Sequence, residues 1–264
     1  MTEGTRDERR VFADERQARI AEHVAVRGRA HIAELATMFG VTEVTIRKDL
    51  GVLQDRGLLK RTHGGAIARM PLVDRDLERR VAMHRDAKEA IGHACAGLLK
   101  DGDSVFLSGG STVRAIAGAL AAGQQQGLTV LTNSTEIALA LAGTSGVDHL
   151  LVGGQIHRAS GSLVGPIALH NLQRFTVDIA FVGASGFSEL GVTVGNVEEA
   201  EILAAVIERA RRVVLPLHDS KVGPTDFAKV CELDQIDVLV INRANLQIAA
   251  VCAANGIELV AAES

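Results

Sequence analysis

The sequence has no tryptophan and no tyrosine, and aromatic residues make up 3% of its 264 positions. Single-stranded nucleic acids are held largely by stacking on aromatic side chains, so this mode of binding is not expected. No apolar run reaches the ~20 residues that a helix needs to span a bilayer. The charged N-terminal residues T-R-D-E-R-R do not resemble a signal peptide. The sequence therefore predicts a cytoplasmic protein without a membrane partner.

Cysteine is scarce as well. Cys95, Cys231 and Cys252 are odd in number and are not spaced as metal ligands, which predicts small buried residues in a reducing compartment. No metal and no cofactor is predicted. The remaining composition is that of a globular protein, with 47% hydrophobic and 23% charged residues, and the length allows two domains with separate cores.

The charges are distributed unevenly along the chain. Residues 1–70 contain 13 Lys and Arg against 10 Asp and Glu, and the remaining residues contain 15 against 22, which sum to the totals of 28 and 32. The first segment thus carries a net +3 and the second a net −7. This difference favours contact with nucleic acid at the N-terminal end only.

Residues 41–50 read V-T-E-V-T-I-R-K-D-L and follow a predicted amphipathic helix and the turn residue Gly40. A second helix can begin there with a threonine as N-cap, and Val44, Leu50 and Leu53 are spaced to face a core. The free side of this helix then carries Thr42, Thr45, Arg47 and Lys48. Such a helix-turn-helix fits the DNA major groove, where arginine can bind guanine through two hydrogen bonds.

Residues 58–67, L-L-K-R-T-H-G-G-A-I, predict a short strand pair that turns at Gly64 and Gly65. Three helices closed by this ribbon form a winged helix-turn-helix domain at about residues 13–68, with the helix-turn-helix at about 30–49. We expect the wing to contact the phosphate backbone or the minor groove through Lys60, Arg61 and His63. A winged helix that serves protein contacts is the alternative.

Residues 69–84 are rich in charge and are predicted to form a linker or a hinge helix. Residues 85–261 then alternate between strand-like and helix-like segments, which predicts an α/β domain with a largely parallel sheet covered by helices. The apolar runs lie at 104–108, 129–132, 149–153, 178–184, 213–217 and 237–241. The helical segments lie at 85–99, 112–122, 135–142, 196–211 and 245–254.

Residues 105–112 predict a buried strand that ends in a glycine-rich loop and leads into a helix. Glycines let a ligand approach the backbone, and the free N–H groups of a helix start attract anions. The residues that would bind a ligand here are Ser108, Gly109, Gly110, Ser111 and Thr112. The loop is neither G-x-G-x-x-G nor a Walker loop, so dinucleotides and nucleoside triphosphates are disfavoured. A simple tight turn remains the alternative.

Other predicted strands also end in polar or glycine-bearing loops. Their candidate binding residues are Asn133, Ser134, Gly153, Gly154, Gly183, Ala184, Ser185, Asp219 and Lys221. Ligands gather at the carboxyl ends of the strands in an open parallel sheet, so these loops are expected to converge. Lys221 is either the cation that neutralises a sugar phosphate or a surface lysine.

The chain resembles the DeoR-type bacterial transcriptional regulators over nearly its whole length. The matching motifs are V-T-E-V-T-I-R-K-D-L, the following L-Q-D-R-G-L-L-K-R-T-H-G-G-A, D-I-A-F-V-G at 178–183 and D-S-K at 219–221. The resemblance implies an N-terminal DNA-binding domain and a C-terminal sensor similar to ribose-phosphate isomerase and CoA-transferase type folds. It also implies a phosphorylated sugar as effector and repression of genes for sugar uptake and catabolism.

Three positions depart from the family pattern. Ser108 stands where the family usually has Asp, in a pattern like D-S-G-T-T. The helix that contains Glu199 runs E-A-E-I-L-A and lacks the family's cationic pair, and Asn242 ends a strand where Asp is common. These departures place more of the expected phosphate binding on backbone amides and on Lys221.

We expect a sequence-specific repressor that leaves its operator when a phosphorylated sugar occupies the C-terminal cleft, with residues 69–84 transmitting the change. A homodimer or homotetramer is expected, because one small winged helix reads few bases of double-stranded DNA. The alternative is an active sugar-phosphate isomerase with Glu198, Glu199 or Asp219 as base and Lys221 as electrophile. A CoA-binding or nicotinamide-binding regulator lacks a matching motif.

Overall fold

The computed structural model describes residues 13–21, 23–24, 29–56, 58–62, 64–68, 75–123 and 125–262. The chain divides into two compact units, Met1–Pro71 and Leu72–Ser264. Each unit has its own hydrophobic core. The predicted fold class, a helix-turn-helix domain followed by an α/β domain with a parallel sheet, is confirmed.

The N-terminal unit is helical at residues 13–21 and 23–24 (α1) and continues with β1 (Arg29–His31), α2 (Ile32–Phe39), α3 (Glu43–Asp55), β2 (Leu59–Thr62) and β3 (Gly65–Ala68). The predicted wing is the antiparallel pair of β2 and β3. β1, which the sequence pattern did not predict, pairs with the other side of β3. The unit closes around the buried side chains of Ile20, Leu35, Ile46, Leu50, Leu53 and Leu59.

The turn between α2 and α3 is made by Gly40, whose φ of +64° lies in the left-handed region that favours glycine. α3 then begins with the N-cap Thr42, whose hydroxyl accepts a hydrogen bond from the backbone N–H of Thr45 at 3.3 Å. The hydroxyl satisfies one of the free N–H groups at the helix start. The predicted helix-turn-helix geometry therefore follows from one glycine and one threonine.

The prediction that Val44 faces the core is wrong. Val44 is 72% exposed, whereas Ile46 is fully buried. The inward stripe of α3 consists of Ile46, Leu50 and Leu53, and Val44 lies two residues before it, about 200° around the helix. Val44 thus shares the outward face with the polar residues.

Asp49 holds α1 against the inner face of α3. Its carboxylate accepts hydrogen bonds from Arg16 Nε at 2.7 Å and from Gln17 Nε2 at 2.9 Å, and the residue is 3% exposed. A buried carboxylate is stable only when it is paired, so the position of α3 depends on this contact.

The described part of the C-terminal unit begins with α4 (Arg75–Ala82), α5 (Arg85–Ala96), β4 (Ser104–Leu107), α6 (Ser111–Ala122), β5 (Leu128–Thr132), α7 (Thr135–Leu141), β6 (Val147–Leu151), β7 (Gln155–His157), β8 (Ser162–Val164) and α8 (Gly165–Leu172). It continues with β9 (Val177–Phe181), β10 (Gly186–Ser188), β11 (Gly191–Val194), α9 (Val197–Ile207), β12 (Ala210–Leu217), β13 (Ala228–Cys231), β14 (Val238–Ile241), α10 (Leu246–Ala254) and β15 (Glu258–Ala261). Residues Asp219–Lys221 form a short 3-10 turn after β12.

The main sheet of this unit has the strand order β15-β14-β12-β9-β4-β5-β6, and every neighbouring pair is parallel. The chain starts in the middle at β4 and moves outward through β5 to β6. It then returns to β9 on the other side of β4 and moves outward again. The direction of winding therefore reverses between β4 and β9, and this switch point opens a crevice at the carboxyl ends of the two strands.

Residues alternate between the two faces of the sheet. Val105 and Leu107 of β4 pack into the core that contains α5, α6 and α7. Phe106, between them, packs into the core that contains α8, α9 and α10. With helices on both faces, the strands are buried on both sides, which explains their almost uninterrupted apolar sequences.

Several short elements were not predicted from the sequence. They are the hairpin of β7 and β8, the antiparallel sheet of β10, β11 and β13, the helix α8 and the edge strand β15. The helix predicted to reach residue 211 ends at Ile207, because β12 pairs with β9 from Ala210 onward. Tertiary pairing thus overrides a continuous helical pattern.

In the part of the chain that is described, no helix is long and apolar enough to cross a membrane. The three cysteines are buried and free, as predicted. Burial raises the pKa of the Cys231 thiol to about 12, which keeps it protonated and unreactive.

Candidate functional site

The outer face of α3 presents the side chains that the sequence analysis assigned to DNA. Thr42, Arg47 and Lys48 are exposed, and Thr45 is half-buried at the start of the helix. Arg47 forms an ion pair with Glu43 at 2.8 Å, in which both side chains are about half exposed. Such an exposed pair contributes little to stability, so the guanidinium can exchange the carboxylate for another acceptor.

The wing adds two further cations to the same unit. Lys60 and Arg61 are exposed on β2, and the backbone N–H of Arg61 donates to the side-chain oxygen of Gln54 at 3.0 Å. This bond attaches the wing to the last turn of α3 and fixes the position of the wing relative to the helix. The third predicted wing residue, His63, lies outside the described residues.

A cavity of about 550 Å³ lies at the switch point of the parallel sheet. The strand-end loops after β4, β5, β9 and β12 meet there, as expected for a parallel sheet. The sequence-predicted residues that line the cavity are Gly109, Gly110, Ser111, Thr112, Asn133, Gly183, Ala184, Ser185 and Lys221.

The loop after β4 directs the start of α6 at this cavity. Gly110 is the N-cap of α6, and its φ of +129° is a conformation that side chains rarely allow. No side-chain hydrogen bond caps the helix start at this residue, and Gly110, Ser111 and Thr112 all line the cavity. Thr112, 3% exposed, lines the cavity, and its hydroxyl has no hydrogen-bond partner within the described structure. A buried hydroxyl without a partner next to a helix N-terminus is suited to an anionic ligand.

The loop after β5 supports the loop after β4. The Asn133 side-chain oxygen accepts a hydrogen bond from the N–H of Gly109 at 2.9 Å, and its amide nitrogen donates to the carbonyl of Leu163 at 3.2 Å. Asn133 is 2% exposed. The residue therefore lines the cavity and also fixes the glycine loop against β8.

Among the described residues, Lys221 is the only lysine that lines the cavity, and it comes from the loop after β12. Its ammonium group donates a hydrogen bond to the carbonyl of Ala184. Burial, together with the nearby charges of Lys88 and Arg80, lowers the pKa of Lys221 to about 8. Loss of solvation and repulsion between like charges both disfavour the ammonium form, and an anion in the cavity would reverse this effect.

Five predicted binding residues do not line the cavity, and each of them has another position or contact in the structure. The Ser108 hydroxyl is fully buried and accepts from the N–H of Gly183 at 2.8 Å. Ser134 is the N-cap of α7. Gly153 and Gly154 have positive φ angles in the turn between β6 and β7. Asp219 approaches His218 at 3.1 Å.

Other residues that line the cavity were not among the predicted effector-binding residues. Arg79, Arg80 and Met83 come from α4 and the turn after it, and His157, Ser160 and Ser162 come from the β7–β8 hairpin. Asn196, Glu199 and Asp226 complete the polar lining. The charge-rich composition of residues 69–84 was the only sequence signal for the arginines, and it was equally consistent with a linker. In the residues that the structure describes, no group of three or more His, Cys, Asp or Glu side chains could hold a metal ion.

Comparison with known families matches both units. The model of the DeoR-like helix-turn-helix domain matches residues 16–70, and that of the DeoR C terminal sensor domain matches residues 83–243. The HTH-type transcriptional repressor GlcR of Bacillus subtilis (strain 168) is 31% identical over 96% of this chain and 98% of its own length. The putative aga operon transcriptional repressor of Escherichia coli O157:H7 is 28% identical over 91% of this chain and 90% of its own length.

A third relative, the glycerol-3-phosphate regulon repressor of Escherichia coli (strain K12), is 28% identical over 83% of this chain and 87% of its own length. Among solved structures, a D-ribose-5-phosphate isomerase in complex with phospho-erythronic acid aligns with 52% of this chain and 54% of its own, at 14% identity and a TM-score of 0.40. This structural likeness is too distant to bear on activity. The resemblance inferred from the motifs is confirmed, and the chain belongs to the DeoR family of helix-turn-helix transcriptional regulators.

Proposed function

We propose that the protein represses genes of carbohydrate uptake or catabolism and leaves its operator when a phosphorylated sugar binds in the cavity of the C-terminal unit. One observation carries the effector assignment. The unpartnered, buried hydroxyl of Thr112 lies at the uncapped start of α6, in a cavity whose opposite wall supplies the ammonium group of Lys221. Helix N–H groups, a hydroxyl and a lysine together suit a phosphate, while Asn133, Ser185 and Asp226 can bind sugar hydroxyls.

The DNA assignment is supported by the exposed side chains of α3 and of the wing. Thr42, Thr45, Arg47 and Lys48 would meet base edges and phosphates in the major groove, with Lys60 and Arg61 on the backbone. Two relatives are named repressors, of the aga operon and of the glycerol-3-phosphate regulon. Their names favour a target in carbohydrate metabolism for this chain as well.

Release from DNA requires that the effector bind the DNA-competent and DNA-incompetent states with different affinity. A protein of this kind acts in the cytoplasm as a homodimer or homotetramer, because a single winged helix reads too few bases for a specific operator. Residues 69–84 connect the two units in sequence and would carry the change between them.

The isomerase alternative is less favoured. Of its three candidate bases, Glu198 and Asp219 do not line the cavity, and Glu199 lies 3.6 Å from the imidazole of His157. A carboxylate base must approach the proton that it removes, and only Glu199 meets this condition. The relatives described above are all named as regulators.

A mobility-shift titration on the DNA upstream of the gene tests the proposal. We expect binding that resists competitor DNA, and release of the operator by one of a panel of sugar phosphates but not by the corresponding free sugar. The panel is first screened by the rise in unfolding temperature that ligand binding causes. Equal effects of free and phosphorylated sugars would contradict the effector assignment, and the absence of specific DNA binding would contradict the regulator.

A further inference from the structure

Two arginines of α4 line the cavity of the C-terminal unit. Arg79 and Arg80 lie in the last turn of this helix, and Met83, which also lines the cavity, is the first residue after the helix. Within the described residues, the one other lysine or arginine of the lining is Lys221, from the loop after β12. Because α4 is the first described helix of the C-terminal unit, a ligand that touched these arginines would contact the described element of that unit nearest in sequence to the DNA-binding unit.

α4 is held in place by a buried lysine. The ammonium group of Lys88, whose residue is 6% exposed, donates hydrogen bonds to the carbonyls of Arg80 and, at 2.8 Å, of Met83. These carbonyls belong to the end of α4, where a cation is favourable. The guanidinium of Arg80 also donates to the carbonyl of Ala159 at 2.8 Å, in the turn between β7 and β8. These contacts fix the end of α4 and the guanidinium of Arg80 at the cavity wall, where Arg79 also lies.

The charges at this end of the cavity favour an anion. The positive charges of Lys88 and Arg80 are close enough to Lys221 to make its ammonium form less stable. Cations that repel one another in a half-buried place are stabilised when an anion binds among them. The two acidic residues described in the lining have partners within the lining itself, since Asp226 accepts from Ser185 at 2.7 Å and Glu199 lies 3.6 Å from His157.

We propose that α4 is part of the effector site, with Arg79 and Arg80 binding the phosphate of the sugar across the cavity from the start of α6. Guanidinium groups bind phosphate through paired, charge-assisted hydrogen bonds, which are stronger than neutral ones. The bound effector then holds α4 against the sensor unit. This inference rests on the proposed function, because it assigns new residues and a regulatory role to the same cavity. The contact with α4 supplies the difference in effector affinity between the DNA-competent and DNA-incompetent states, which coupling to DNA requires.

The test compares the full-length protein with two double variants. The first double variant carries Arg79→Gln and Arg80→Gln, and the second carries Arg79→Lys and Arg80→Lys. A third protein with Arg174→Gln is the matched control, because Arg174 is exposed and lies outside the cavity lining. The probes are glucose 6-phosphate, fructose 1-phosphate, fructose 6-phosphate and glycerol 3-phosphate, with the free glucose, fructose and glycerol. Calorimetry uses the probe that most raises the unfolding temperature of the wild type.

We expect the double glutamine variant to bind the phosphorylated probe about 30-fold more weakly or worse, and the double lysine variant to lose about fivefold or less. The control keeps wild-type affinity, and affinity for the free sugar does not change. Backbone amides of residues 75–83 should exchange hydrogen more slowly when the probe is bound to the wild type, but not when it saturates the glutamine variant. The last result separates a contact with the effector from a general loss of stability.

A glutamine variant that binds the probe within about twofold of wild type would overturn the inference, since a lost charge-assisted bond costs more than this. So would amides of α4 that exchange at the same rate with and without the probe. If no phosphorylated probe binds the wild type, the proposed function fails and this inference fails with it. If a probe releases the wild type from DNA but binds the glutamine variant equally well, this inference alone is wrong.

Discussion

The hydroxyl oxygen of Ser108 accepts a hydrogen bond from the backbone N–H of Gly183 at 2.8 Å and so joins the loops after β4 and β9. These loops are the two sides of the switch point, where the crevice of the sheet opens. Ser108 is fully buried. Ser108 therefore holds together the two loops that form the crevice, although it does not itself line the cavity.

We expect Ser108→Ala to lower the free energy of unfolding by roughly 1 to 2 kcal/mol, because the buried N–H of Gly183 loses its acceptor. It should also weaken binding of the sugar phosphate, since Gly183 lines the cavity. Denaturant unfolding and calorimetry measure the two effects. Ser145→Ala, at an exposed position of the same unit, is the control, and equal behaviour of the two variants would show that the Ser108 bond has no such role.

The outward position of Val44 gives a second prediction. A valine that is 72% exposed on the face of α3 can contact the methyl group of a thymine in the major groove. Val44→Ser should leave the unfolding temperature unchanged and lower operator affinity, with the loss confined to operators that have a T·A pair at one position. Ile46→Ser, at a fully buried position, should instead destabilise the unit. A large loss of stability in Val44→Ser would show that the residue packs inside.

Arg47 and Lys48 should differ in what they contribute to DNA binding. Arg47→Ala should reduce the preference for the specific operator by about 1 to 3 kcal/mol, as expected for the loss of a guanine contact. Lys48→Ala should weaken specific and non-specific binding alike and reduce the slope of log affinity against log salt by about 0.9. Lys100→Ala removes the same charge from the C-terminal unit and is the control. Equal effects on specificity in both α3 variants would contradict this division.

Lys221 should make effector binding depend on pH. Its folded-state pKa of about 8 lies below the ordinary value of 10.5, so the unliganded residue loses its charge as the pH rises through 8. The phosphate should bind most tightly below that pH and more weakly above it, with uptake of protons on binding near pH 8. Calorimetry in buffers of different ionisation enthalpy measures this uptake. In Lys221→Met the affinity should be low and its dependence on pH between 7 and 9 much reduced.

Lys221 affects the free energy of unfolding in the direction opposite to its effect on effector affinity. Between pH 8 and 10.5 the unfolded chain binds more protons at Lys221 than the folded chain, so its contribution to the free energy of unfolding rises with pH in this window. Below pH 8 the buried ammonium is a cost, and Lys221→Met should be more stable than the wild type at pH 7 by on the order of 2 kcal/mol. The difference between the two proteins should shrink as the pH approaches 10. A variant less stable than the wild type at pH 7 would contradict this account.

Much of this architecture could be predicted from the sequence, for local reasons. The apolar runs that became β4, β5, β9, β12 and β14 are buried on both faces, so their composition alone identifies them. The convergence of their loops follows from parallel pairing. The side chains within a loop could not be assigned in the same way, because the Ser108 hydroxyl is occupied by the N–H of Gly183, whereas Thr112 lines the cavity with its hydroxyl unpartnered within the described structure.

Contributions from distant segments were beyond prediction for a different reason. The β7–β8 hairpin and α4 reach the cavity through tertiary packing, which involves Lys88 and the carbonyls of α4. No periodicity of residues 69–84 encodes that contact. The error at Val44 was of a smaller kind, the wrong face of a helix that was itself correctly predicted, and the buried Asp49 with its partner Arg16 lies on the face that packs inward.

α3 has separate residues for its two tasks. Asp49, Ile46 and Leu50 are buried and hold the helix in place, whereas Val44, Arg47 and Lys48 are exposed. Under the proposed function, substitution on the outer side therefore leaves folding nearly untouched while it changes which bases are read. A scaffold of this kind can acquire a new operator through single mutations that selection on stability does not oppose, so descendants of one ancestral regulator can diverge to control different genes.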